Sequence, residues 1–191
     1  MCVVALLSFE NPSYEVGDSV TDFKLKNVDG KMVSLSDYSD KKGAIVIFDC
    51  NTCPYSKAYN DRIIGLNDKY ASKGYPVITI NPNDPEISPG DSFKEMASQA
   101  KKKGYEFPYL QDESQQVARS FGATNTPHVF VLKKDGPNFR VAYIGTIDNN
   151  SRDGSVATKK YVEEAVDALL GDKSIPTTRT KAIGCGIKWK D

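Results

Sequence analysis

Hydrophobic positions change their period along the chain, and each change marks an element. Phe23-Lys24-Leu25 alternates, Asp29-Gly30 is a turn pair, and Met32-Val33-Ser34-Leu35 resumes, so Asp22 to Ser34 reads as a β-hairpin. Ala44-Ile45-Val46-Ile47-Phe48 is apolar without interruption, as in a strand buried on both faces. Helical spacing follows through Ala58, Ile63, Leu66 and Tyr70 to about Ser72, where Lys73-Gly74 stops it. Tyr75 to Ile80 is a second buried strand, and Asn81 to Pro89 is a turn-rich loop. Ser92 to Lys103 predicts a helix ended by Gly104. Phe107 to Leu110 is a short extended piece, and Asp112 to Phe121 a helix ended by Gly122. His128 to Leu132 and Arg140 to Ile144 form a strand pair across Asp135-Gly136-Pro137. Val156 to Leu170 is a closing amphipathic helix, and Ile175 to Asp191 is a tail. This order predicts an α/β fold, parallel in its first part and antiparallel in the later hairpin.

The ends frame this pattern. We divide the chain into residues 1–15, a possible remnant of an export signal, a domain over 16–171, and a C-terminal tail over 172–191. Met1 to Phe9 is apolar but lacks the basic start of a secretory signal, so an N-terminal strand is the alternative. On this basis an exported location is preferred, with a cytoplasmic one as the alternative. No apolar run reaches the ~20 residues that a membrane helix needs. Lys+Arg 25 balances Asp+Glu 25, which argues against nucleic acid as a partner.

The four cysteines change the picture. Cys50 and Cys53 stand at C-x-x-C spacing between a buried strand and a helix that opens with Pro54. Unpaired N–H groups at a helix start carry about half a positive charge, which favours thiolate over thiol. Two intervening residues bring the sulfurs within bonding range, so the pair can cycle between dithiol and disulfide. Cys50, at the strand-to-helix corner, is expected to be the nucleophile and Cys53 the resolving thiol. Lys57, four residues beyond Cys53, favours an anion, whereas the carboxylate of Asp49 opposes it. Thr52, between the cysteines, is a further modulator. Thr126-Pro127 opens the apolar run His128 to Leu132. A proline there donates nothing to a ladder, and a cis bond would turn the Thr126 backbone toward the cysteines to pair with an extended partner chain.

The residues just quoted give the chain a resemblance to the thioredoxin-like superfamily, in its redoxin branch (AhpC/TSA, peroxiredoxin-like and TlpA-like proteins). It runs from about Val16 to Leu170. It is carried by the early hairpin through Ser36-Asp37-Tyr38, by Cys50 to Tyr55, Asn81 to Glu86, Phe107-Pro108-Tyr109-Leu110 and Thr126-Pro127. Ala182 to Trp189 resembles the tail of a peroxiredoxin-like group. The resemblance implies a central mixed sheet flanked by helices, with an N-terminal hairpin extension. It also implies that Cys50 and Cys53 are the two motif cysteines and that Pro127 is the cis-proline. Asn51-Thr52 replaces the Gly-Pro of thioredoxin, and no tryptophan precedes Cys50. The threonine three residues before a peroxidatic cysteine is absent before both cysteines.

The expected activity is thiol–disulfide exchange on protein or small-molecule disulfides, with a thiol reductant system as the electron source and no cofactor. A thiol peroxidase, with a cysteine passing through sulfenic acid, is one alternative. A Cu- or Zn-binding module using Cys50, Cys53, His128 and Cys185 is another. Cys185 is a candidate third thiol, for regeneration or for an intermolecular disulfide. A docked tail cysteine without a redox role is the simpler expectation.

Overall fold

The computed structural model describes residues 13–190. The export-signal reading rests mainly on residues 1–12, and they lie outside the described residues, as does Cys2. The strands are β1 (Ser19–Val20), β2 (Lys24–Asn27), β3 (Met32–Ser34), β4 (Gly43–Phe48), β5 (Val77–Asn81), β6 (Tyr109–Gln111), β7 (Asn125–Thr126), β8 (His128–Asp135), β9 (Asn138–Gly145) and β10 (Cys185–Gly186). The helices are α1 (Pro54–Tyr70), α2 (Phe93–Lys103), α3 (Gln116–Phe121) and α4 (Tyr161–Leu170). Eight strands form one mixed sheet in the order β1-β9-β8-β4-β5-β6-β2-β3. Strands β4, β5 and β6 run parallel, and β8 and β9 are antiparallel, as the sequence pattern predicts. The early hairpin is β2–β3, attached to the sheet edge through β6.

Side chains alternate across a strand, so the unbroken apolar run of β4 serves two layers at once. Val46 and Phe48 face a cluster with Ile78, Ile80, Phe130 and Phe121. Ile45 and Ile47 face the opposite cluster, built with Tyr59, Ile63, Leu66 and Tyr70 of α1 and Val162, Ala165 and Val166 of α4. The first of these layers also takes in Ile187 of the tail, with Trp189 packed against it. The tail is thus part of the core.

Three expectations are corrected. Ala58 is exposed, and its neighbour Tyr59 takes the buried position on α1. The third helix begins at Gln116, not Asp112. The Asp112 carboxylate accepts the Ala118 N–H (2.8 Å), and Gln115 sits in the left-handed region at φ 61, which interrupts a helix. Gln115 is held there from both sides: Nε2 donates to the carbonyls of Pro82 (2.7 Å) and Lys188 (2.8 Å), and Oε1 accepts the Lys190 N–H (2.8 Å). The last helix begins at Tyr161, not Val156. Asn149 Oδ1 accepts the N–H groups of Thr158 and Lys159, holding that stretch out of the helix. Gly154–Val156 forms a separate short turn capped by Asp153.

Candidate active site

Strands β4 and β5 are parallel, with Phe48 opposite Ile80, so the segments leaving their C-terminal ends emerge side by side. One is Asp49-Cys50-Asn51-Thr52-Cys53 and the other is the loop from Asn81 to Asp91. Cys53 is the N-cap of α1, with Pro54 in the first helical turn. Both Cys50 and Cys53 are buried.

The adjoining loop clamps the motif. The Asp91 carboxylate accepts the Asn51 N–H (2.7 Å), the Thr52 hydroxyl (2.7 Å), the Ser88 hydroxyl (2.6 Å) and the side-chain amides of Asn83 (2.9 Å) and Asn81 (3.2 Å). Burial alone would raise the pKa of Asp91. The donors, Ser88, Asn83 and Thr52 foremost, outweigh it and hold the carboxyl below its usual value. Asn51 also donates to the Gly90 carbonyl (2.9 Å) and accepts from the buried Tyr109 hydroxyl (3.0 Å). A Cβ on Gly90 would press on the Thr52 methyl at 2.7 Å, so glycine lets the loop lie flat on the motif. Our sequence reading did not identify Asp91. The available signal was topological: two parallel neighbouring strands each followed by a polar segment.

The third wall is the segment before β8. The Thr126–Pro127 peptide is cis. Thr126 is fully buried and touches both motif cysteines. Its hydroxyl shares a hydrogen bond with Cys50 Sγ (3.0 Å), and its carbonyl oxygen lies 3.2 Å from Cys53 Sγ. On the far side of Cys50, the Ser56 hydroxyl is 3.8 Å from the sulfur.

Cys50 and Cys53 are not joined to each other. Cys53 forms a disulfide with Cys185 of the tail, their Cα atoms 5.9 Å apart, and Cys50 is a free thiol. Cys185 and Gly186 run antiparallel to Thr126 and Asn125 as β10 on β7. Burial pushes the Cys50 thiol up, the charges of Asp49 and Asp91 push it further, and the Thr126 bond pulls it back in part. In this disulfide state Cys50 is therefore protonated at neutral pH.

Asp49, Thr52, Thr126, Pro127 and Cys185 thus gather around the motif. Lys57 is solvent-exposed on α1. His128 is buried and accepts the Thr124 N–H on Nδ1 (3.3 Å). Burial, then the Arg179 charge, lowers its pKa to about 4, so it is neutral at physiological pH. Among the described residues, no three His, Cys, Asp or Glu side chains group as metal ligands.

Asp49 carries a prediction. It is buried, Oδ1 has no hydrogen-bond partner, and burial raises its pKa from 3.8 to about 6 against the bonds from Ser56 and the Cys50 backbone. The folded protein therefore holds this proton to a higher pH than the unfolded chain does. Its contribution to stability falls as pH rises from about 4 to about 6, and the full penalty remains above that. Asp49→Asn should stabilise the protein by on the order of 2 kcal/mol at pH 7.5 and by little at pH 4. It should also speed alkylation of Cys50, because a neighbouring negative charge is gone. Denaturant melts at the two pH values and a thiol-alkylation pH profile check both; equal stabilisation at both pH values would contradict it.

The comparisons with known proteins place the chain by family and fold. The model of the AhpC/TSA family matches residues 16–137. Among curated proteins, the thiol-disulfide oxidoreductase ResA of Geobacillus thermodenitrificans is 25% identical over 130 residues, covering 66% of this chain and 68% of that one. A hypothetical protein of Sinorhizobium meliloti has a crystal structure superposing with a TM-score of 0.85 at 33% identity, covering 94% of this chain and 97% of that one. An uncharacterized conserved protein of Geobacillus kaustophilus gives 0.85 at 35% identity, covering 92% and 93%. With this match along most of the sheet and a C-x-x-C motif facing a cis-proline, the chain belongs to the AhpC/TSA family, in the thioredoxin-like redoxin branch.

Proposed function

We propose that the protein is a thiol–disulfide oxidoreductase acting on protein disulfides through Cys50 and Cys53. In the dithiol state, the Cys50 thiolate attacks one sulfur of a target disulfide. A Cys50–target mixed disulfide forms, and the other target sulfur leaves as a thiol. Cys53 then attacks Cys50, which releases the second target thiol and leaves Cys50 and Cys53 joined. The target disulfide gains two electrons, and the motif loses them to become a disulfide. Thr126 and Pro127 position the target: the cis bond aims the Thr126 backbone at the sulfurs, beside an edge where an extended chain can pair.

One observation carries this reading. An extended cysteine-bearing segment, Cys185–Gly186, already lies antiparallel on Asn125–Thr126 with its sulfur bonded to the motif. A target peptide needs the same strand pairing, with its sulfur bonded to Cys50 in place of Cys53. The relatives named ResA support the activity class.

The test is insulin reduction with the protein fully reduced at the start. Insulin should precipitate well ahead of a dithiothreitol-only control, and protein with its thiols blocked should match the control. No acceleration over dithiothreitol would end the proposal.

A further inference from the structure

We propose that Cys185 is a third redox thiol, which takes over Cys53 from the oxidised motif and returns Cys50 to its thiol form. This deepens the reading above and rests on it. After a target is reduced, Cys50 and Cys53 are joined. The Cys185 thiolate attacks Cys53 Sγ, the Cys53–Cys185 bond forms, and the Cys50–Cys53 bond breaks. Cys50 leaves as a thiolate and takes up the proton that Cys185 gave up. The exchange is electron-neutral and needs no further oxidant. The oxidising equivalent now sits partly on the tail, where an incoming thiol reductant finds Cys185, the less buried of the two sulfur-bearing residues. The structure holds the product of this exchange: Cys53 bonded to Cys185, with Cys50 a free thiol against Thr126.

The tail is built to bring Cys185 to this point. Thr180 accepts the Thr146 N–H on its hydroxyl (3.0 Å), and its own N–H donates to the Ile144 carbonyl (2.9 Å). Asn125 Nδ2 donates to the Gly184 carbonyl (3.0 Å), and the Ile187 N–H to the Thr124 carbonyl (3.2 Å). Beyond the cysteine, Ile187 is buried and the Arg119 guanidinium lies over the Trp189 ring at 4.5 Å. The tail is also tied to the loop that clamps the motif. Asn83 accepts the Lys188 N–H (2.9 Å) on Oδ1 and donates to Asp91 (2.9 Å) through Nδ2. Gly184 makes the close approach possible: a Cβ there would collide with the Thr126 carbonyl. The same tail segment occupies the Thr126 edge, so a target chain and the bonded tail exclude each other.

Trypsin makes the two disulfides easy to tell apart. Cys50 and Cys53 share the peptide 43–57, and Cys185 lies in 182–188. The fully reduced protein is mixed with oxidised glutathione, quenched in acid at intervals, capped with N-ethylmaleimide and mapped by mass spectrometry. The internal Cys50–Cys53 link should rise first and give way to the 43–57/182–188 cross-link. At equilibrium the cross-link should dominate by at least about tenfold, because the docked tail holds Cys185 at high effective concentration. Gly184→Ala keeps every thiol and should reverse the ratio. A wild-type protein that stops at Cys50–Cys53 with Cys185 capped overturns the proposal. So does a cross-link that arises with no internal precursor, or an unchanged ratio in Gly184→Ala. The map reads only which sulfurs are bonded, so its failure and a failure of insulin reduction are separate results.

Discussion

Cys50→Ser should lose disulfide reduction by at least about a thousandfold, down to the rate of the thiol reductant alone. A serine hydroxyl does not ionise near neutral pH and forms no mixed disulfide, so the first step of the exchange has no attacking atom. The loss is chemical, not conformational. Serine preserves the volume to within the difference between oxygen and sulfur, and the Thr126 hydroxyl, 3.0 Å from Cys50 Sγ, is a ready hydrogen-bond partner for it. The variant should therefore melt close to wild type while failing in the insulin assay. Cys53→Ser is the informative companion: it leaves the attack intact and removes resolution, so a Cys50–target mixed disulfide should accumulate. Full activity in Cys50→Ser would move the attacking role to Cys53, the cysteine that the structure joins to the tail.

Asp91→Ala should have the largest effect on stability, about 3 kcal/mol or more. Its carboxylate collects five donors: Asn51, Thr52, Ser88, Asn81 and Asn83. Alanine removes the acceptor from all five; Thr52 and Ser88 keep each other and Asn81 keeps the Tyr109 hydroxyl, but the Asn51 N–H and the buried Asn83 amide lose theirs and carry the desolvation cost. For a chain of this length the loss corresponds to roughly 10 °C in melting temperature. The pH dependence has a definite sign. The folded pKa of Asp91 lies below 3.8, so its contribution is complete above that value and is lost as pH falls through the folded pKa. The variant should therefore differ most from wild type at neutral pH, and the gap should narrow in strong acid. The motif loop, no longer clamped at Asn51 and Thr52, should also expose Cys50 to faster alkylation. Calorimetry over a pH series and alkylation rates measure both; a melting temperature within about 2 °C of wild type would contradict the clamp.

Local pattern was sufficient wherever one stretch of chain decides its own structure. The unbroken apolar run from Ala44 to Phe48 announced a strand covered on both faces, and both faces of β4 are covered. The C-x-x-C spacing after that strand, with Pro54 behind it, located the candidate site without any contact map. Thr126-Pro127 could be singled out because a proline at the start of a buried run is anomalous by itself. Helix starts were less legible. Asp112 and Val156 look like helix residues in sequence, but long-range bonds from Gln115 to the tail and local ones from Asn149 hold those stretches out of the helix.

The sequence alone determined the main strands and helices, their order, and which pair of cysteines stands at C-x-x-C spacing between a buried strand and a helix, because period, turn residues and spacing are properties of neighbouring positions. Which sulfur bonds which was decided only by the tertiary structure. Cys53 lies three positions from Cys50 and 132 from Cys185, yet the pairing of β10 with β7 delivers the distant partner. Asp91 belongs to the same class. Its five donors come from two chain segments that meet only because β4 and β5 run parallel, and no local pattern records a meeting made by the sheet.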